Sequence, residues 1–183
     1  MKAFSIQDCM SVGKKTAIHY VENHMSDVFA SYEWDDEIMQ KLRKHNYDKT
    51  TFEGYVETQR LWIEKEILRF KKAKAEGKSC VVIDFGAEDL EFYTINWPKT
   101  IGMNWDIEEE MKDELEKFRE CLPEIILFLE ASHLKLIANK KSDVNRTRNY
   151  FDTYYKQIMP LKEAWFRSKD NVDYLNVKNK DSE

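Results

Sequence analysis

Apolar residues fall along the chain in two patterns, short dense runs and longer stretches where they recur every three or four positions. The dense runs predict strands at Lys2–Ile6, Ser79–Asp84 and Glu124–Glu130, with weaker ones at Asp27–Glu33 and Asn171–Val177. The strongest helical signal covers Thr51–Glu76, where Phe52, Tyr55, Val56, Gln59, Trp62, Ile63, Ile67 and Phe70 share the helical spacing. Gly77 is placed to end it. Further helices are expected at Lys14–His24, from Asp35 to about His45, at Ala87–Ile95, at Ile107–Cys121 with Asp106 as N-cap, and at Ser132–Asn139. A last, long one covers roughly Arg146 to Ser168, with Tyr150, Phe151, Tyr154, Tyr155, Ile158, Leu161 and Trp165 as its core stripe.

Strands alternate with helices, and the strands read as apolar throughout rather than on one side. That combination predicts an α/β fold, a three-layer sandwich with a central parallel sheet of about five strands. Ligands of such sheets gather at the carboxyl ends of the strands, so the loops after Ile6, Glu33, Asp84 and Glu130 are expected to line a site. The length of 183 residues suits one domain over residues 1–178, followed by a polar tail at 179–183. With only 5 glycines and 3 prolines, long linkers and a turn-dense all-β fold are disfavoured.

The formal net charge of -5 argues against a general nucleic-acid binder. Cys9, Cys80 and Cys121 are widely spaced, and His19, His24, His45 and His133 are scattered, so neither a disulfide framework nor a zinc site is suggested. No apolar stretch has the length of a signal peptide or membrane span, and a cytoplasmic location is the expectation.

The candidate chemistry begins after the first strand. There Asp8-Cys-Met-Ser-Val-Gly13-Lys14-Lys15-Thr16 reads against the phosphate-binding Walker A pattern, G-x-x-x-x-G-K-[ST]. Gly13 and Lys14 match it, and strand, loop and helix stand in the right order for a helix N-terminus to face a phosphate. Asp8 replaces the first glycine, and Lys15 replaces the hydroxyl residue that binds Mg²⁺. Thr16 brings a hydroxyl one position late. Ser11, Val12, Gly13, Lys14, Lys15 and Thr16 are the candidate nucleotide-binding residues. The competing reading is a helix start that happens to carry two lysines.

Several later segments line up with a known family. Val82-Ile-Asp84-Phe-Gly86 stands where small P-loop kinases carry an Asp-Arg pair at the end of the third strand, with Phe85 in the arginine's place. Glu124–Glu130, then Leu134 and Ile137, then Arg146-Thr-Arg148, resemble the fourth strand and arginine-bearing lid. Glu33-Trp34 is similar to the carboxylate that deoxynucleoside kinases use on the substrate hydroxyl, and Gln59 resembles their base-reading glutamine. In collinear order the chain resembles the thymidylate-kinase-like and deoxynucleoside-kinase-like P-loop group, with a degenerate Walker A motif.

The resemblance implies ATP with Mg²⁺ and transfer of the γ-phosphoryl group to a nucleoside, nucleotide or similar small hydroxyl acceptor. It assigns Lys14 to the β- and γ-phosphates, Glu33 or Asp84 to the acceptor hydroxyl, and Arg146 and Arg148 to a lid. Each has a structural alternative: Glu33 as part of a solvated acidic helix start, Arg146 and Arg148 as a solvated basic loop, Gln59 as a polar helix-face residue. Two readings of the whole stay open, a phosphotransferase and a catalytically eroded nucleotide-binding or interaction protein. A plain scaffold is a third. The exposed face of the Thr51–Glu76 helix offers a surface for a homodimer.

Overall fold

The structure, a computed structural model, describes residues 1–33, 36–142 and 149–177. Five strands form one sheet: β1 (Lys2–Asp8), β2 (Val28–Ser31), β3 (Cys80–Asp84), β4 (Ile125–Glu130) and β5 (Val172–Asn176). Their order is β2-β3-β1-β4-β5, and every neighbouring pair is parallel. The expected parallel sheet is present. The chain leaves β1 for the edge strand β2, returns to β3 and then crosses to β4. The connections after β1 and β3 therefore run to opposite sides, and the crevice between their carboxyl ends is the topological switch point. Register then places the chemistry: Ile6 pairs with Asp84 and with Leu127.

The helices are α1 (Lys14–His24), α2 (Asp36–His45), α3 (Phe52–Ala75), α4 (Ala87–Thr100), α5 (Ile107–Glu110), α6 (Lys112–Arg119), α7 (His133–Ser142), α8 (Phe151–Thr153) and α9 (Met159–Arg167). A π-helical turn, Tyr154–Ile158, joins the last two. One apolar cluster packs Ile6, Phe128 and Leu129 of the sheet with Ile18 of α1, Leu136 of α7 and Phe166 of α9. A second joins Tyr55, Val56 and Ile63 of α3 to Leu90 of α4 and Leu115 and Phe118 of α6.

Four features depart from expectation, each for a local reason. The helix expected to stop at Ile95 runs on to Thr100 through Pro98. Proline cannot donate to the carbonyl four residues back, which is Thr94. The Tyr55 hydroxyl supplies that bond instead, at 3.0 Å, and also reaches the Tyr93 carbonyl at 3.1 Å. The single helix expected over Ile107–Cys121 breaks at fully buried Met111 into α5 and α6, although Asp106 caps it as expected, accepting from the Glu109 amide at 3.3 Å.

The expected core stripe of the last helix is also shifted. Tyr150 is 41% exposed and Leu161 is 40% exposed, whereas Tyr154, Ile158, Lys162 and Phe166 are buried. A π turn adds one residue to its turn and moves the buried face along the sequence. Pro160, at the start of α9, removes another backbone donor beside that turn.

The fourth departure concerns β1, which is not apolar throughout. Ser5 and Gln7 are fully buried at the centre of the sheet, and the Gln7 side-chain amide donates to Glu88 of α4, also fully buried. Burial pushes the Glu88 carboxyl above its ordinary range, so the acid form is favoured in the fold.

Removing the Tyr55 hydroxyl with Tyr55→Phe strands a buried carbonyl and should lower the unfolding free energy by about 1–3 kcal/mol in urea titration; unchanged stability would mean that Thr94 finds another donor. Glu88 has a raised pKa when folded, so its contribution is fully present below the unfolded value and is lost as pH rises through the folded one. Glu88→Gln should therefore stabilise the protein at neutral pH, with the advantage shrinking under acid. A gain that is flat with pH would refute the titration as its cause.

Candidate functional site

β1 ends at Asp8, and the chain turns through residues 9–13 before α1 begins at Lys14. Gly13 has φ 110, in the left-handed region that a residue without Cβ occupies freely. Ser11 is also left-handed, at φ 73, and its carbonyl accepts from the Asn139 side chain of α7 at 2.8 Å. Cys9 and Val12 are buried and anchor the loop in the core. The first turn of α1 carries no acidic residue, and no side chain caps it, so its positive end is not screened locally. Thr16, the late hydroxyl, is exposed on the helix.

Inside this loop the Lys14 ammonium lies 2.8 Å from Asp8 Oδ1. Asp8 is only 3% exposed. Its carbonyl accepts from Lys162 Nζ at 3.2 Å and from the Tyr154 hydroxyl at 3.4 Å. Lys162, itself 1% exposed, is paired with Asp89 of α4 at 2.9 Å. Burial opposes charge on both lysines, yet the neighbouring carboxylates outweigh it and hold both ammonium groups above their ordinary range. Burial pushes the Asp8 carboxyl above its ordinary range, against the pull of Lys14 and Lys162. Two ion pairs, Asp89–Lys162 and Asp8–Lys14, thus run from α4 and α9 to the loop, joined where Lys162 meets the Asp8 carbonyl.

Across the switch point stands a second pair of acids. Asp84 closes β3 almost wholly buried, and its Oδ2 has no hydrogen-bond partner among the described residues. Glu33 lies just beyond β2, its backbone carbonyl held by Lys65 of α3 at 2.6 Å. Burial raises the Glu33 pKa, and the Asp84 charge raises it further, while Lys14 and Lys15 act the other way. Lys14, Glu33 and Asp84 are thus brought into one electrostatic neighbourhood.

Phe85 follows with φ 55, left-handed without being glycine, and its ring stacks on Tyr93 at 5.7 Å. An arginine does approach this strand end. Arg69 of α3 donates to the Asp84 carbonyl at 3.0 Å and the Phe85 carbonyl at 2.6 Å, while gripping Glu66 through two bonds of 2.8 and 2.7 Å. Its donors serve the backbone and Glu66, so it is a brace for the turn. Gln59 is turned toward α4, where its Oε1 accepts the Thr94 hydroxyl at 3.0 Å. Arg146 and Arg148 lie outside the described residues.

Sequence reasoning missed Lys162 and Asp89. A lysine at helical spacing between Ile158 and Phe166 was the available signal, because a cation in register with an apolar stripe needs a buried anion.

No protein-family description matches the sequence, and no curated protein matches it. Solved structures do. A thymidylate kinase from Candida albicans superposes with a TM-score of 0.65 over 99% of this chain and 85% of that one, at 12% sequence identity. The fold is therefore that of this thymidylate kinase, with the five-stranded parallel sheet flanked by helices. Among the described residues no helix is long and apolar enough to cross a membrane.

Removing one member of the buried charge line leaves its partner uncompensated. Lys162→Met should cost about 3–5 kcal/mol of stability, and adding Asp89→Asn should recover part of it. Urea unfolding of the two variants checks this, and a double variant no better than the single one would show that the pair does not act as a unit.

Proposed function

We propose that the chain binds a nucleoside triphosphate at the loop after β1 and transfers its γ-phosphoryl group to a small hydroxyl acceptor held near Glu33 and Asp84. The observation that carries this reading is the convergence of the Gly13-Lys14 helix start with those two carboxylates at the carboxyl edge of a kinase-type sheet. Lys14 supplies point charge to the β- and γ-phosphates, alongside the amides of the α1 N-terminus. Glu33, with its raised pKa, suits a base that takes the acceptor's proton as the bond to phosphorus forms. The likeness to a thymidylate kinase favours a nucleoside or nucleotide as that acceptor. Gln59, Arg146 and Arg148 keep the base-reading and lid roles proposed from the sequence.

The donor set fits Mg²⁺ only in part. Asp84 presents a buried carboxylate oxygen without a hydrogen-bond partner among the described residues, whereas Lys15 offers no ligand where a hydroxyl is expected. A nucleotide-bound Mg²⁺ would neutralise phosphate charge, with Asp84 as the residue to hold it. Ser11, Val12, Gly13, Lys14 and Lys15 line the phosphate path in this reading, with Thr16 at its margin.

The Asp8–Lys14 contact favours a second reading, nucleotide binding with little transfer. Losing one preorganised electrostatic partner costs on the order of 10² to 10³ in rate, and Asp8, Lys15 and Phe85 all depart from the reactive pattern.

Both readings are tested by ATP binding and by transfer of radiolabelled γ-phosphate to a panel of nucleosides and nucleoside monophosphates. Lys14→Ala should weaken ATP binding at least tenfold. Turnover that falls on Lys14→Ala and Glu33→Gln supports the transferase. Turnover that is negligible in the natural chain but rises in Lys15→Ser with Phe85→Arg supports the eroded form. ATP affinity indifferent to Lys14 would sink both.

A further inference from the structure

The position occupied by Asp8 is glycine in the phosphate-binding pattern, a residue with no side chain to offer. Here it carries a carboxylate, and that carboxylate is committed to Lys14 at 2.8 Å. The contact is not an accident of a loose surface pair. Asp8 is almost wholly buried, and its backbone carbonyl accepts from Lys162 and Tyr154. Lys162 is fixed in turn by Asp89. Residues of α4, α9 and the π turn therefore fix the strand end that carries the carboxylate.

We infer that Asp8 is a built-in competitor of the ligand phosphate, an internal anion that occupies Lys14 and must be displaced before a nucleotide can use it. The inference rests on the loop reading given above and adds the residue that sets its affinity and selectivity. A carboxylate and a phosphate oxygen seek the same ammonium donors, and Lys14 has one compact head group for both. Apparent affinity falls by the fraction of molecules whose lysine is free, so a lysine engaged nine-tenths of the time weakens binding roughly tenfold. Desolvation sharpens the competition, since an interaction between charges strengthens as the effective dielectric falls. The loop should favour ligands that bring more negative charge than one carboxylate offers. Triphosphates should gain on monophosphates more steeply here than in a loop with glycine at this position.

Calorimetric titration of the full chain with ATP tests the idea in the natural sequence, Asp8→Asn, Asp8→Gly, Lys14→Met and the double variant Asp8→Asn with Lys14→Met. The expected result is a gain of tenfold or more in ATP affinity for Asp8→Asn and Asp8→Gly, abolished in the Lys14→Met background. Carboxyl ¹³C resonances followed in the natural chain provide a readout that no folding defect can obscure, and the Asp8 signal should move as ATP saturates. If ATP binding depends on Lys14 while the Asp8 substitutions leave it unchanged or weaker, and the Asp8 resonance stays still, the competitor role is overturned and the loop reading survives. A gain that persists without Lys14 reflects simple repulsion and also overturns the competitor role. If no variant binds ATP, the loop reading itself fails and takes the inference with it.

Discussion

The buried line of charge from Asp89 through Lys162 and Asp8 to Lys14 ties together parts of the chain that no local interaction would hold in register. Lys162 is 73 residues from Asp89 and 154 from Asp8, so these contacts lock α9, α4 and the end of β1 to one another. Each charge costs several kcal/mol to remove from water, and such a row survives only where signs alternate at close range. That requirement fixes more than stability. It decides where the loop after β1 starts, which face of α9 is buried, and what the helix-start lysine meets first.

The sheet contributes the other half of the frame. Because β1 is central and both its neighbours are parallel to it, the carboxyl ends of β3 and β1 stand side by side. Asp84 and Asp8 reach one crevice through backbone register alone. Glu33 is brought to the same neighbourhood by β2, with Lys65 pinning its carbonyl. This explains how a chain of such low identity to a thymidylate kinase keeps that architecture. Layer packing needs apolar pattern and connectivity, which many sequences satisfy, while chemistry rests on a few side chains at strand ends.

The same division governs what was legible in the sequence. Strand positions and the parallel arrangement could be read because fully covered strands leave dense apolar runs between helical periods. Lys14, Glu33 and Asp84 could be picked out as candidates because each falls at a strand end or loop, and the structure places them in one neighbourhood. The break at Met111 and the π turn before α9 could not, since both arise from packing that leaves helical spacing almost intact. Nor could the buried polar trio Ser5, Gln7 and Glu88, whose members lie far apart in sequence. Lys162 was hidden by the ordinary expectation that a lysine on a helix faces water. Asp8 was visible as a departure from glycine. Its grip on Lys14, and the support behind it, became visible only with the side chains in place.

Phe85 shows how frame and chemistry have separated. A left-handed φ at a bulky residue costs about 1–3 kcal/mol and persists only where the surroundings over-determine it. Here they do: Arg69 bonds both flanking carbonyls, Glu66 holds Arg69 with two bonds, and the ring stacks on Tyr93. The strained turn at the end of β3 is thus braced by α3 and α4. What stands on that turn is an apolar ring, which cannot neutralise phosphate charge, in the place where the family resemblance expects an arginine. The backbone turn is held firmly while the side chain on it carries no charge, and at the end of β1 the Asp8 side chain engages Lys14. In the proposed reading both residues bear on the same property, the positive charge available to a phosphate at the switch point, Phe85 by supplying no cation and Asp8 by engaging Lys14.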